Sequence, residues 1–357
     1  MKLISIKMKP LTKSNKKYIV MALTCLAVMS GFAYYYFFSA FSVSSTTEYL
    51  YIDQDDNIDS VFTKLTPIAS RHGMQGLSTL VRHSDYPELI KTGRYEITTS
   101  IGAFQLFRRL KSGMQSPVHL TVPSVRTVED LAEELTTKLM LDSATLHAAL
   151  VNPDTCKTYG YTPETITCMF VPNTYEVYWN ISLSKLLKRM KKESDSFWNE
   201  DRMAKAQRLK LTPIEVITLA SIVDEETANN AEKPMVAGMY YNRLMMRDGE
   251  YPNGMPLQAD PTIKFALKQF ALKRIYHNML QTQSPYNTYV NTGLPPGPIR
   301  IPTVAGIDAV LNMVKNNYIY MCEKEEFSGT HNFASNYKDH QANAAKYSKA
   351  LNARGIK

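Results

Sequence analysis

Asp224, Glu225 and Glu226 stand in a row after Leu219-Ala220-Ser221-Ile222-Val223, and Thr227-Ala228-Asn229-Asn230 follows them. The apolar run reads as helix and the Asn pair as its end, so three carboxyl groups gather at a helix C-terminus. The helix dipole is negative there, each acid repels its neighbours, and partial burial opposes ionisation, so at least one of them should have a raised pKa. A carboxyl that keeps its proton near neutrality can serve as a general acid. A turn of about 100° per residue puts Glu226 on the side of Leu219 and Val223, with Glu225 nearly opposite and Asp224 between. Glu226 is therefore the best-placed acid. The competing reading is a solvated acidic turn, because charge runs usually form exposed faces.

Three later segments carry groups that could hold a substrate: Gly254-Met255-Pro256-Leu257-Gln258-Ala259-Asp260-Pro261-Thr262, Ser284-Pro285-Tyr286-Asn287-Thr288-Tyr289, and Thr292-Gly293-Leu294-Pro295-Pro296-Gly297-Pro298-Ile299. Amides, hydroxyls and aromatic rings on Pro- and Gly-stiffened loops suit carbohydrate, whose hydroxyls need hydrogen bonds and whose ring faces need apolar platforms. Each loop alone is equally readable as an ordinary turn.

Two helices must position these groups. Thr212-Pro213-Ile214-Glu215 is a capping box with Pro at the first helical position. The helix it opens is apolar nearly all round (Ile214, Val216, Ile217, Leu219, Ala220, Ile222, Val223) and so belongs in a domain core. Pro234 opens the next helix, which contains Tyr240-Tyr241-Asn242-Arg243-Leu244.

Upstream, Tyr49 to Ile52 alternates like a strand, Ile58 to Ser70 has helical spacing, Lys91 to Ile97 is a turn into a strand, and Ala103 to Leu110 is an amphipathic helix stopped by Lys111-Ser112-Gly113. This strand, helix, strand, helix pattern makes a small mixed domain. Val118 to Pro123 reads as its closing strand, and Thr127-Val128-Glu129-Asp130 caps a new helix, which sets a boundary near Pro123. A strand from Tyr318 to Cys322 and a helix from about Tyr337 end the chain, and there is no internal repeat.

Six lysines (Lys2, Lys7, Lys9, Lys13, Lys16, Lys17) precede a charge-free apolar stretch from Tyr18 to Phe41, and they explain most of the net charge of +8 without any nucleic-acid partner. That stretch meets the requirement of about 20 apolar residues for a membrane span. Lysines before it and Glu48, Asp53, Asp55 and Asp56 after it place the N-terminus in the cytoplasm and the rest outside. A cleaved signal peptide fits less well, because the run is long and lacks a small-x-small cleavage site. Cys156, Cys168 and Cys322 follow the span. Cys156 and Cys168 could be bridged or could be separate buried thiols, which spacing does not decide. No Cys-x-x-Cys or His-Glu-x-x-His is present, so no metal site is expected.

From the anchor almost to the C-terminus, the sequence resembles the endolytic murein transglycosylase (YceG-like) family. The resemblance is carried by Leu219 to Thr227, Tyr241-Asn242-Arg243-Leu244, Leu257-Gln258-Ala259-Asp260-Pro261-Thr262, Tyr286-Asn287-Thr288-Tyr289 and Gly293-Leu294-Pro295-Pro296-Gly297. It implies that Glu226 is catalytic, since the family's helix ends Ser-Ile-hydrophobic-Glu-x-Glu-Thr. Asp224 stands where that pattern has its first Glu. Phe170-Val171-Pro172-Asn173-Thr174-Tyr175 resembles a stretch that has an acid in place of Asn173, and Thr167-Cys168 replace a Glu-Gly pair.

The resemblance implies an α+β protein: a basic tail over 1–17, a transmembrane helix over 18–41, a LysM-like α/β module over 45–122 and a catalytic domain over 123–357. It implies cleavage between N-acetylmuramic acid and N-acetylglucosamine within glycan strands, with 1,6-anhydro ends and no cofactor. Asn242, Gln258, Asp260, Thr262, Tyr286, Asn287, Thr288 and Tyr289 become the expected substrate-binding residues. The implied partners are peptidoglycan strands, the cytoplasmic membrane crossed once, and peptidoglycan synthases acting on nascent strands. Two readings compete: a glycan hydrolase, which Asp260 keeps open, and a non-catalytic envelope scaffold.

Overall fold

The computed structural model describes residues 13–354. Most of the basic tail expected over 1–17, with Lys2, Lys7 and Lys9, lies outside the described residues. Helix α1 (Lys13–Ala33) runs into a π-helical turn, Tyr34–Phe38. Together Lys13–Phe38 form one helical segment of 26 residues, none of it buried and long and apolar enough to cross a membrane. It ends sooner than expected. Phe41, assigned by sequence to the span, is fully buried, with its N–H on the Ile101 carbonyl at 2.7 Å and its carbonyl accepting from Ser70 N–H at 2.6 Å.

The chain divides into two compact units, one over residues 1–118 with 177–180 and the other over 119–176 with 181–357. In the first, β1 (Glu48–Ile52) pairs antiparallel with β2 (Gly93–Ile97), Leu50 opposite Tyr95. Helices α2 (Ile58–Leu65), α3 (Arg71–Arg82) and α4 (Ala103–Ser112) pack around them. The order is strand, helix, helix, strand, helix, with one more helix than the sequence pattern gave. Pro67 explains the split, since it lacks an N–H and cannot continue α2. Ser70 then caps α3 by accepting from Gly73 N–H at 3.2 Å. Leu50, Ile52, Leu77, Tyr95, Ile97 and Leu106 form the core with Phe41. Gly113 ends α4 in the left-handed region at φ 73°, as the Lys-Ser-Gly stop required.

The second unit opens with β3 (Val118–Thr121), whose first residue still belongs to the first unit, followed by α5 (Val128–Thr136), α6 (Ser143–Val151), α7 (Pro153–Thr158) and β4 (Thr174–Val177), the partner of β3. Then come α8 (Leu183–Phe197), α9 (Glu200–Arg208), α10 (Pro213–Glu226), α11 (Lys233–Met245), α12 (Asp260–Ala266) and α13 (Val304–Leu311). The antiparallel pair β5 (Tyr320–Glu323) and β6 (His331–Ala334) and helix α14 (Tyr337–Ala353) complete it. β5 starts two residues later than expected, and its partner β6 was not foreseen. Cys156 and Cys168 are separate buried thiols, which settles the bridge left open by spacing.

Helix α10 is the axis of this unit. Val216, Leu219, Ala220, Ile222 and Val223 are all fully buried, as an all-apolar helix requires. The capping box that starts it is formed: Glu215 N–H donates to Thr212 Oγ1 at 3.3 Å and Thr212 N–H to Glu215 Oε2 at 2.7 Å. Burial of its sides fixes the direction of α10, and with it the position of the acids at its end.

Candidate active site

The three acids of α10 have three different environments. Asp224 is buried and pairs with the equally buried Lys233 of α11 at 2.7 Å. Its other oxygen accepts from Thr303 N–H at 2.6 Å, the residue that caps α13. A Cβ on Gly306 would sit 2.4 Å from the Asp224 carboxylate. The short Asp side chain thus fills a space closed by α11 and α13, and it is a structural anchor.

Glu225 is not a solvated acid either. Arg126 grips it with two bonds, Nε at 2.8 Å and Nη2 at 3.0 Å, and Arg300 adds Nη1 at 3.0 Å. Two guanidinium groups on loops far apart in sequence are fixed to the helix end this way. Glu225 still borders the cleft described next, but its carboxylate is taken.

Glu226, the last residue of α10, faces a cleft of about 490 Å³ in the second unit, bordered also by Tyr240, Gln258, Asp260, Tyr289 and His331. Burial pushes its carboxyl up to about 7; the hydrogen bond from Tyr240 opposes this, Asp260 adds to it, and His331 and Lys264 oppose it. Tyr240 Oη donates to Glu226 Oε1 at 2.6 Å. Grooves of about 490 and 510 Å³ on α4 and α3 of the first unit have no carboxylate among their lining residues, so neither offers an acid.

The expected substrate-binding residues fall into two groups. Gln258, Asp260 and Tyr289 line the cleft with Glu226. Gln258 holds φ 50°, a left-handed conformation that costs a non-glycine residue roughly 1 kcal/mol. Tyr289 Oη donates to Asp260 Oδ1 at 2.6 Å, and burial first, then this bond, raises the phenol's pKa.

The other five lie outside the cleft lining. Thr262 and Thr288 are buried, with hydroxyls 2.9 Å apart; Thr288 Oγ1 accepts from Ala259 N–H at 3.0 Å. Buried Asn287 donates to the Leu280 and Thr282 carbonyls at 2.9 and 2.8 Å. These three fasten the loop and start of α12 that present Gln258 and Asp260 and the loop that presents Tyr289. Tyr286 packs against Phe265 with ring centres 4.7 Å apart and the planes tilted by 45°. Asn242 donates to Asn316 Oδ1 at 3.0 Å and the Tyr318 carbonyl at 2.9 Å, pinning the approach to β5.

Among the cleft residues that the sequence does not single out are Tyr240 and His331. Tyr240 was seen only as part of a helix. His331 sits on β6, the strand that was not foreseen; its N–H and ring Nδ1 meet the Glu232 carboxylate at 2.6 and 3.1 Å. Thr227 Oγ1 donates to the same carboxylate at 3.0 Å, linking the end of α10 to β6.

The profile of the YceG-like family matches residues 50–346, most of both units. The chain belongs to the YceG-like family. Among relatives, a protein named endolytic murein transglycosylase from Bacillus subtilis (strain 168) is 33% identical over 171 residues, 48% of this chain and 44% of that protein. One of the same name from Streptococcus pneumoniae serotype 2 (strain D39) is 26% identical over 371 aligned positions, 93% of this chain and 65% of the relative. The chain therefore spans less than two thirds of the length of either relative. Its fold is similar to the crystal structure of a YceG-like protein from Listeria monocytogenes, with TM-score 0.53, 23% identity, and coverage of 84% of this chain and 99% of that one.

Proposed function

We propose that this YceG-like chain is a membrane-anchored lytic transglycosylase, a lyase that cuts peptidoglycan glycan strands internally with Glu226 as both acid and base. The observation that carries this reading is the Glu226 carboxyl, held at the end of a core helix with its pKa pushed up to about 7 and facing an open cleft. Such a group can be protonated at the start of a reaction and ionised in its middle.

The Glu226 proton passes to the oxygen that links N-acetylmuramic acid to N-acetylglucosamine, and the C1–O bond of the muramoyl residue breaks. The muramoyl 6-hydroxyl oxygen forms the new bond to C1 and gives its proton back to the Glu226 carboxylate. No water is consumed, and the product ends in a 1,6-anhydro ring. One carboxyl suffices because the nucleophile belongs to the substrate, whereas most glycoside hydrolases use a second carboxylate. Gln258, Asp260 and Tyr289 would position the sugar from the same cleft. The fastening roles of Thr262, Asn287 and Thr288 make them indirect supports of that surface. Names borne by relatives from Bacillus and Streptococcus support the substrate class.

Helix Lys13–Phe38 would anchor the chain in the cytoplasmic membrane, with lysines inside and both units outside. The first unit would act as a LysM-like module touching peptidoglycan, near synthases and nascent strands.

A second reading, hydrolysis, is favoured by Asp260, a carboxylate in the cleft that could activate water. Mass spectrometry of products from uncrosslinked glycan strands separates the two, since a hydrolase leaves a reducing end one water heavier than the anhydro product. Glu226→Gln is expected to bind strands and lose cleavage by a factor of about 10² to 10⁴. Undiminished cleavage by that variant would overturn the assignment. Strand binding without turnover in the wild type would instead leave a scaffold protein.

A further inference from the structure

The proton shuttle proposed for Glu226 leaves open which of its two oxygens acts. We infer that Tyr240 is a positioning residue that assigns the carboxyl proton to Glu226 Oε2, the oxygen that the phenol does not hold. The inference rests on the acid role given to Glu226 above.

Tyr240 is 2% exposed, and its hydroxyl has Glu226 Oε1 as its hydrogen-bond partner at 2.6 Å. Two arrangements could fill that contact when the carboxyl is protonated. If Oε1 carried the proton, it would donate to the phenol oxygen, and the phenol hydrogen would be left buried with no acceptor among the described residues. An unmade hydrogen bond of a buried donor is strongly disfavoured. If Oε2 carries the proton, Tyr240 donates to Oε1 and both groups are satisfied. Oε2 has no protein partner among the described residues and belongs to the side chain that borders the cleft. The phenol thus keeps Oε1 as acceptor and leaves Oε2 to give and take the proton.

The bond also favours the charged state, because a carboxylate accepts more strongly than a neutral acid. Other charged or titratable groups around the cleft with Glu226 are Glu225 of α10, Arg243 of α11, Asp260 and Lys264 of α12, Lys273 and Tyr289 of the following loops, Cys322 and Glu323 of β5, His331 of β6 and Tyr347 of α14. Asp260 opposes ionisation, and His331 and Lys264 assist it. Tyr240 acts by direct contact on one oxygen, which is what removal of its hydroxyl tests.

The test uses Tyr240→Phe in the full chain, assayed on uncrosslinked glycan strands across pH. Loss of the hydroxyl should lower kcat about tenfold with KM changed less than twofold. The alkaline limb of kcat/KM should move up by about one pH unit, because the carboxyl loses the bond that eased its ionisation. In a Glu226→Gln background, the same substitution should leave strand affinity unchanged and remove no further residual activity. An unshifted alkaline limb, or a full additional loss in the Glu226→Gln background, would overturn the inference. Thermal melting of Tyr240→Phe accompanies the assay, and Tyr240→Trp, which restores a donor at the wrong reach, should not recover the wild-type limb. If Glu226→Gln itself still cleaves, the acid assignment fails first, a different outcome from a Tyr240 effect that is independent of Glu226.

Discussion

At the scale of single residues, three adjacent carboxyl groups have been given three fates by what each meets: a buried lysine for Asp224, two arginines for Glu225 and an open cleft for Glu226. The elevated Glu226 pKa has a consequence for stability. The folded chain holds this proton up to about pH 7, whereas an unfolded glutamate releases it near 4.5. Stability therefore falls as pH rises from about 4.5 through about 7, because the folded state must then bury part of a charge. With about 1.4 kcal/mol per pKa unit, and a discount for access to the cleft, the cost at pH 8 is about 1 to 3 kcal/mol. Glu226→Gln should thus melt higher than wild type at pH 8 and show little difference at pH 4. Equal differences at both pH values would contradict the pKa.

At the scale of elements, the site is held by ties between helix ends and loops. Asp224 joins α10 to Lys233 of α11 and to the cap of α13 in a space closed by Gly306. Asp224→Ala should destabilise the chain by about 3 to 5 kcal/mol, since it strands the buried Lys233 charge, and denaturant unfolding would measure it. The capping box, the apolar helix and the acids at its end were legible in sequence, because each depends on near neighbours along the chain. The loops were recognised as the site's surroundings, but their side chains could not be sorted. Gln258 and Ala259 lie in irregular backbone, which has no period, and Asp260-Pro261-Thr262 make only the first turn of the short α12, so nothing in the stretch says that Gln258 and Asp260 border a cleft while Thr262 turns inward to Thr288.

At the scale of the molecule, the apolar segment is joined to the first unit by very little chain. Its π-helical turn ends at Phe38, and Phe41 is already in the core. A Cβ on Gly76 of α3 would lie 2.1 Å from the Tyr36 carbonyl oxygen, so that turn packs directly on α3. Deleting residues 1–33 should move the chain from the membrane to the soluble fraction of a cell lysate with its melting temperature nearly kept. Extending the deletion through Phe38 should lower that temperature as well, since Tyr36 and the Phe38–Phe104 ring contact are lost.

Sequence by itself determined the apolar N-terminal segment, the mixed α+β composition and the course of α10, which follow from local periodicity and capping, while charge at the helix end made Glu226 a candidate and the family resemblance of the later motifs made it the choice. Only the tertiary structure decided that Glu225 is neutralised by Arg126 and Arg300, that Tyr240 holds one Glu226 oxygen, and that His331 reaches the cleft. These contacts join residues far apart along the chain or set by the direction of a buried side chain. Packing alone brings such groups together, and a linear pattern carries no record of it.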